Sequence, residues 1–154
     1  MIPDSINKGV HFMRIRVLLV DDEKEFIETL AERLEVRDFA VKTAFNGDEA
    51  ISMIKERDFD VVVLDVLMPG KNGIETLKEI KSLKPLVNII MLTGHATVET
   101  AIDGMKAGAY DYLMKPTDTN ELVSKITKAH NIKAEHEERI RKAEINKIIE
   151  KRGW

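Results

Sequence analysis

Cysteine is absent from the 154-residue sequence, and only 5% of the residues are aromatic. Without cysteine there is neither a disulfide framework nor thiolate chemistry. The apolar runs are far shorter than the roughly 20 residues that a helix needs to cross a bilayer, so we predict no membrane span. Lysine and arginine total 24 against 27 aspartates and glutamates, a balance that gives no reason to expect direct nucleic-acid binding. The N-terminus lacks a signal-peptide pattern, and we expect a cytoplasmic protein.

The spacing of apolar residues alternates regularly between strand-like and helix-like patterns along the sequence. Apolar residues make up 44% of it and charged residues 33%, as in soluble globular domains. Residues 1–13 show no hydrophobic periodicity and are interpreted as a flexible leader. From residue 14 onward, short β-branched runs alternate with segments of helical spacing. We predict strands at 15–20, 39–45, 60–65, 88–92 and 109–114, and helices at 23–36, 48–57, 74–83, 98–106 and from 120 onward.

Five strands that alternate with helices predict an α/β fold with an open parallel sheet covered on both faces. The continuous apolar run from Val61 to Leu64 agrees with a strand buried on both sides. We predict a flavodoxin-like, doubly wound, five-stranded sheet of order 2-1-3-4-5. In such sheets the ligand crevice lies beyond the carboxyl ends of the strands, so the functional side chains are expected there.

Polar side chains follow four of the five predicted strands. Asp21 and Asp22 follow the first strand, Asp65 the third, Thr93 the fourth and Lys115 the fifth. Taken singly, each has a plain alternative, because aspartate often caps a helix or begins a turn and threonine and lysine are common in loops. The coincidence of five such residues at one edge of the sheet favours a shared site.

The chemistry of this set narrows what the site does. Three neighbouring carboxylates repel one another, so a cation is expected among them. An oxygen-rich set without histidine or cysteine favours a hard ion, and magnesium is the first choice. The Thr93 hydroxyl and the Lys115 ammonium suit the negative charge of a phosphoryl group. Asp65 can act as the nucleophile, because carboxylates form acyl phosphates.

Residues 14–130 resemble the receiver domain of two-component response regulators. The resemblance rests on "LLVDDE", "VVVLDVLMPGKNG", "MLTGHA" and "YDYLMKP", in this order and at the usual spacing. The stretch "TGHATVETAIDGMKAGAYDYLMKP" is most similar to receivers of the nitrogen-regulator type. Such receivers usually precede an ATPase and a DNA-binding module, and neither module follows within these 154 residues.

The resemblance implies a phosphorylation site and a Mg2+ site. Asp65 would accept a phosphoryl group from the phosphohistidine of a sensor histidine kinase. Asp22 would bind Mg2+ directly, whereas Asp21 would act largely through a bound water. The backbone carbonyl of Leu67 would complete the protein's share of the metal ligands, together with Asp65.

The resemblance also implies a switch. Thr93 and Lys115 would bind oxygens of the phosphoryl group, and Tyr112 would swing inward as Thr93 moves toward the phosphate. A plain amphipathic ring on a strand is the alternative for Tyr112. The bond between Lys115 and Pro116 would be cis, as is usual in the family.

A phosphorylation-dependent signalling switch is therefore the leading hypothesis. Phosphorylation of Asp65 would shift the surface of the fourth helix, fifth strand and fifth helix to control a partner or an output domain. The chain would catalyse only its own phosphotransfer and autodephosphorylation. An aspartyl-phosphate phosphatase or phosphotransferase is one alternative, although such enzymes usually carry an aspartate where this chain has Leu67. A phosphorylation-independent interaction module and a flavin-binding module are the others, and two carboxylates after the first strand disfavour the flavin.

We predict that the last helix extends past the domain through residues 131–154. Leu122, Ile126, Ala129 and Lys133 mark the face that packs on the sheet, and Ile140, Ala143, Ile145, Ile148 and Ile149 form a partial apolar stripe beyond it. Such a short stripe is weak support for a coiled coil, which needs three or four heptads. The extension is interpreted as a dimerisation or partner-docking helix, with a homodimer as one outcome. A linker to a further domain and a solvated extension without a role are the alternatives, and Trp154 does not decide among them.

Overall fold

The computed structural model describes residues 14–66, 68, 72–94 and 98–151. Within these residues five strands alternate with five helices. The strands are β1 (Arg16–Val20), β2 (Ala40–Ala44), β3 (Val61–Leu64), β4 (Asn88–Thr93) and β5 (Asp111–Met114). The helices are α1 (Lys24–Val36), α2 (Gly47–Glu56), α3 (Gly73–Leu83), α4 (Val98–Lys106) and α5 (Thr119–Lys151). The predicted leader and Trp154 lie outside the described residues.

The five strands form one parallel sheet in the order β2-β1-β3-β4-β5. The predicted α/β class and strand order are therefore confirmed, and the predicted strands begin and end within two residues of the observed ones. All four residues of β3 are buried, because helices cover both faces of this central strand. The buried apolar residues form two clusters, one on each face of the sheet. None of the described helices is long and apolar enough to span a membrane.

The last helix is much longer than the others. It runs for 33 residues, and its buried side chains are Leu122, Ile126, Ala129 and Lys133. These are the four residues that the sequence predicted for the docking face. From residue 134 to residue 151 the helix is almost wholly exposed. The prediction that the helix extends well past its docking face is therefore confirmed.

A buried ion network lies at the amino-terminal edge of the sheet, where α5 leaves the domain. Asp60, just before β3, accepts hydrogen bonds from the backbone nitrogen of Arg16 at 2.8 Å and from its guanidinium at 3.0 and 3.2 Å. The Lys133 ammonium lies 3.3 Å from both Asp60 Oδ1 and Glu137 Oε2. Burial by itself would raise the pKa of Asp60, but the hydrogen bonds from Arg16 and the charges of Arg16 and Lys133 outweigh it. The pKa of Asp60 is therefore held below its usual range.

We predict that Asp60→Asn lowers the free energy of unfolding at pH 7 by on the order of 3 kcal/mol, because it leaves two cations without their buried partner. A lowered carboxyl pKa stabilises the folded state above the ordinary carboxyl pKa of about 4, and this contribution is lost as the pH falls through the lowered value. The difference between the variant and the wild type should therefore shrink in acid. Urea unfolding at pH 7, 5 and 3 measures it.

The matched control is Asp58→Asn. Asp58 lies two residues away and pairs with Lys84 at 2.7 Å, but its side chain is 68% exposed. A surface pair of this kind contributes less than about 1 kcal/mol. Equal losses in the two variants would contradict the structural importance of the Asp60 network.

Candidate functional site

Three aspartates meet at the carboxyl-terminal edge of the sheet. Asp21 and Asp22 follow β1, and Asp65 follows the neighbouring strand β3. One carboxylate oxygen from each lies within 4.8 Å of the others. Asp21 and Asp65 are buried, whereas Asp22 is exposed. Two backbone hydrogen bonds tie the buried pair to the sheet, from Asp21 to the Ala44 carbonyl at 3.1 Å and from Asp65 to the Val20 carbonyl at 2.9 Å.

The Lys115 side chain lies among these carboxylates. Its Nζ is 2.6 Å from Asp21 Oδ2 and 3.7 Å from Asp65 Oδ2, and only 11% of the side chain is exposed. The Lys115 backbone nitrogen donates to the Thr93 carbonyl at 3.0 Å, which joins the ends of β4 and β5. The bond between Lys115 and Pro116 is cis, in agreement with the prediction.

Asp21 and Lys115 form an ion pair, and the pKa of each is raised for a different reason. Burial is the main cause that raises the pKa of Asp21, and the nearby charge of Asp65 adds to it. The hydrogen bonds from Lys115 and from the Glu23 backbone and the Lys115 charge act against this rise without cancelling it. Burial lowers the pKa of Lys115, but the bond to Asp21 and the charges of Asp21, Asp65 and Glu23 raise it overall. The ammonium therefore stays charged, while the negative charge of the carboxylates is only partly balanced.

Asp21 also performs a local structural role. Its Oδ1 accepts a hydrogen bond from the Glu23 backbone nitrogen at 2.9 Å, two residues along the chain. This is the turn-forming behaviour that was the plain alternative for an aspartate after a strand. The same side chain uses its other oxygen for Lys115, so the two interpretations apply together.

Thr93 and Tyr112 occupy contrasting environments. Thr93 ends β4 and is 1% exposed. Tyr112 lies on the edge strand β5 and is 41% exposed. Its ring lines an apolar surface groove of about 460 Å³. The other groove residues are Val98, Ala101, Ile102, Met105 and Lys106 of α4.

Gly73, the first residue of α3, lies against the backbone of Asp65 and Val66. A Cβ at this position would lie 2.2 Å from the Val66 Cα and 2.6 Å from the Asp65 carbonyl oxygen. The Gly73 backbone nitrogen also donates to the Val66 carbonyl at 3.0 Å. Only glycine permits this approach of α3 to the residue that follows Asp65. Leu67, whose carbonyl the sequence predicted as a metal ligand, lies outside the described residues.

Sequence reasoning missed two residues of this site. Glu23 Oε1 lies 3.4 Å from Lys115 Nζ, and the Phe26 ring centroid lies 4.4 Å from the same ammonium. Both residues follow the aspartate pair directly, one before the first turn of α1 and one within it. Their closeness to the pair in sequence was the available signal. What it could not reveal is that Lys115, about ninety residues away, packs against them.

The donor set fits Mg2+. Three carboxylates with oxygen-only donors and no histidine or cysteine among them match the preference of a small hard cation. The partly balanced negative charge described above also favours a divalent ion. The protein is therefore an α/β domain whose candidate site, at the carboxyl-terminal edge of the sheet, consists of clustered aspartates and one lysine.

Comparison with known proteins identifies this class. The family model of the response regulator receiver domain matches residues 17–127. The chain therefore belongs to the receiver domains of two-component response regulators. These domains are signalling modules that bind Mg2+ at an acidic aspartate cluster and interact with sensor histidine kinases.

The relatives confirm the similarity to the nitrogen-regulator type. The transcriptional regulatory protein ZraR of Salmonella typhimurium is 40% identical over 116 residues, which are 75% of this chain and 26% of ZraR. The structure of NtrX from Brucella abortus has a TM-score of 0.77 at 31% identity and covers 82% of this chain and 29% of NtrX. A response regulator from Burkholderia pseudomallei, solved with a phosphorylated aspartic acid and a calcium ion, has a TM-score of 0.70 at 33% identity. That match covers 79% of this chain and 72% of the Burkholderia chain. The chain thus spans about a quarter of ZraR and NtrX.

We predict that Lys115→Met destabilises the protein in EDTA by on the order of 3 kcal/mol, because the clustered carboxylates lose their buried cation. Mg2+ should then stabilise the variant more than the wild type, since the ion replaces the missing positive charge. Urea unfolding with EDTA and with Mg2+ measures both effects. Lys125→Met is the control, because Lys125 pairs with Asp111 away from the cluster. Equal stabilisation of Lys115→Met and wild type by Mg2+ would contradict the prediction.

Proposed function

We propose that the chain is a phosphorylation-dependent switch that accepts a phosphoryl group from a sensor histidine kinase onto Asp65 in the presence of Mg2+. The position of Asp65 carries this proposal. It is held at the end of the central strand, with two further carboxylates within 4.8 Å and an ammonium 3.7 Å away. The phosphorylated aspartic acid of the Burkholderia response regulator supports the same chemistry. The proposed setting is the cytoplasm.

The transfer step follows from these groups. An Asp65 carboxylate oxygen attacks the phosphorus, and the bond between phosphorus and the kinase imidazole nitrogen breaks. The electron pair of that bond stays with the imidazole, and the product is an acyl phosphate. Asp21, Asp22, Asp65 and the Leu67 carbonyl would hold Mg2+, which would supply positive charge to the phosphoryl oxygens. The Lys115 ammonium, 3.7 Å from Asp65 Oδ2, would stabilise the charge on the same oxygens.

We propose that Thr93 and Tyr112 transmit the change to the surface. The Thr93 hydroxyl would bind a phosphoryl oxygen, and Tyr112 would turn inward from its present exposed position. This movement would alter the groove between α4 and β5, and with it the surface formed by α4, β5 and α5. That surface would control a partner or an output domain. The chain has no further substrate in this proposal and catalyses only its own phosphotransfer and autodephosphorylation.

Incubation with acetyl phosphate and Mg2+ tests the acceptor. We expect the wild type to gain the mass of one phosphoryl group and Asp65→Asn to gain none, because an amide is not a nucleophile for phosphorus. Asp58→Asn, at the opposite edge of the sheet, should be labelled like the wild type. Intact-protein mass spectrometry reads the result. Labelling of both the wild type and Asp65→Asn would refute the assignment of Asp65.

We further propose a receiver unit at residues 14–130 and a helical extension at 131–154 that self-associates. Exposed isoleucines support self-association, because apolar side chains on one face of a helix are stabilised when a second helix covers them. Ile145, Ile148 and Ile149 lie at i, i+3 and i+4 and are 44%, 55% and 37% exposed. A linker to a further domain is the alternative, since the matched segment is only 26% of ZraR and 29% of NtrX.

We predict that the mass of the wild type in solution rises with concentration and that Ile148→Asn combined with Ile149→Asn abolishes this rise. Both side chains are exposed, so the substitutions should leave the domain folded. Sedimentation equilibrium over a wide concentration range measures the mass. Glu144→Gln serves as the control on the same helix. A constant monomer mass for the wild type would refute self-association.

A further inference from the structure

The Lys115 ammonium has two chemically different kinds of neighbour. Its Nζ lies 2.6 Å from a carboxylate oxygen of Asp21 and 3.7 Å from one of Asp65. It also lies over the ring of Phe26, 4.4 Å from the ring centroid. This distance is within the range of a cation–π interaction, in which the negative face of the ring attracts a cation.

The Phe26 ring is partly buried. Phe26 lies in the first turn of α1 and packs against the hydrophobic cluster that this helix shares with α5. Phe26, Asp21 and Asp65 together line a cavity of only about 10 Å³ whose remaining walls are apolar. This volume is at the lower limit for a single water molecule. The ring therefore contacts both the ammonium and the apolar interior that Asp21 and Asp65 adjoin.

A competing partner lies toward the solvent. Glu23 Oε1 is 3.4 Å from Lys115 Nζ, and the Glu23 side chain is 60% exposed. In phosphoryl transfer the ammonium must leave Asp21, which would be engaged with Mg2+, and reach a phosphoryl oxygen. Without the attraction of the Phe26 ring, the ammonium would be free to follow the exposed Glu23 carboxylate instead. Misplacement of a charged group by about 1 Å is enough to slow such a step.

We propose that Phe26 is a positioning residue for phosphoryl transfer, whose ring keeps the Lys115 ammonium beside Asp65 while it exchanges Asp21 for a phosphoryl oxygen. This inference rests on the proposed function of Asp65. It assigns a role in the reaction to a side chain that touches neither the phosphoryl group nor the metal.

Ring fluorination at position 26 tests the proposal with little change in shape. Incorporation of mono-, di- and trifluorinated phenylalanine weakens the negative face of the ring in steps. The rate of Asp65 labelling by acetyl phosphate with Mg2+ should fall in the same steps, and Phe26→Leu should be roughly 2- to 30-fold slower than the wild type. Phe26→Tyr should retain most of the rate. A purely structural role would give equal rates across the fluorinated series.

Phe45 provides the matched control. It is also partly buried on the same cluster, and its ring lies 5.1 Å from the Lys24 ammonium. Fluorination of Phe45, or Phe45→Leu, should leave the labelling rate unchanged. An equal slowing by changes at position 45 would overturn the specific role of Phe26.

A second readout does not depend on the reaction. In the Mg2+-free protein, the Hε protons of Lys115 should show an upfield ring-current shift in NMR spectra, and Phe26→Leu should remove it. Absence of the shift in the wild type would overturn the inference while leaving phosphorylation of Asp65 intact. Absence of labelling in the wild type would refute the proposed function, and the role of Phe26 with it. A wild type that is labelled and a flat fluorinated series would refute Phe26 alone.

Discussion

Repulsion among Asp21, Asp22 and Asp65 is the constraint on which the arrangement of this domain depends. The parallel sheet brings the ends of β1 and β3 side by side, so their aspartates converge. Lys115 at the end of β5 reaches across to offset part of this charge. One ammonium among several carboxylates does not balance them. The site is therefore folded but incompletely neutralised, which suits it to bind a cation.

A buried aspartate has a different environment at each edge of the sheet. Asp21 and Asp60 are both buried aspartates. At the amino-terminal edge, Arg16 and Lys133 hold the pKa of Asp60 low. At the carboxyl-terminal edge, burial and a neighbouring carboxylate raise the pKa of Asp21 despite its contact with Lys115. The negative charge of Asp60 is balanced by Arg16 and Lys133, and this network attaches α5 to the sheet. The negative charge around Asp21 is only partly balanced, and that site is suited to bind a cation.

The central strand β3 links the aspartate site to the long helix α5. β3 has Asp60 before its first residue and Asp65 after its last, so one buried strand connects the anchor of α5 to the edge that carries Asp65. The Lys133 contact lies at the point where α5 passes from the domain into its exposed extension. The extension thereby continues directly from a point that the Lys133 ion pairs attach to the domain. Its exposed isoleucines and the apolar groove beside Tyr112 are separate surfaces on different parts of the chain.

The sequence by itself determined the alternation of strands and helices, the parallel sheet and the five polar residues that follow its strands, whereas the strand order was expected from the likeness to flavodoxin-like sheets. It could do so because periodicity is local, and because parallel strands bring their carboxyl ends to one edge wherever they pair. The exposed length of α5 was also predictable, since no proline or glycine interrupts residues 119–151. The tertiary structure alone decided which partners each charge has. The contacts of Lys115 with Glu23 and Phe26, of Lys133 with Asp60, and of Gly73 with Val66 depend on side-chain packing. Such contacts join residues that only the folded chain brings together, and no local pattern records them.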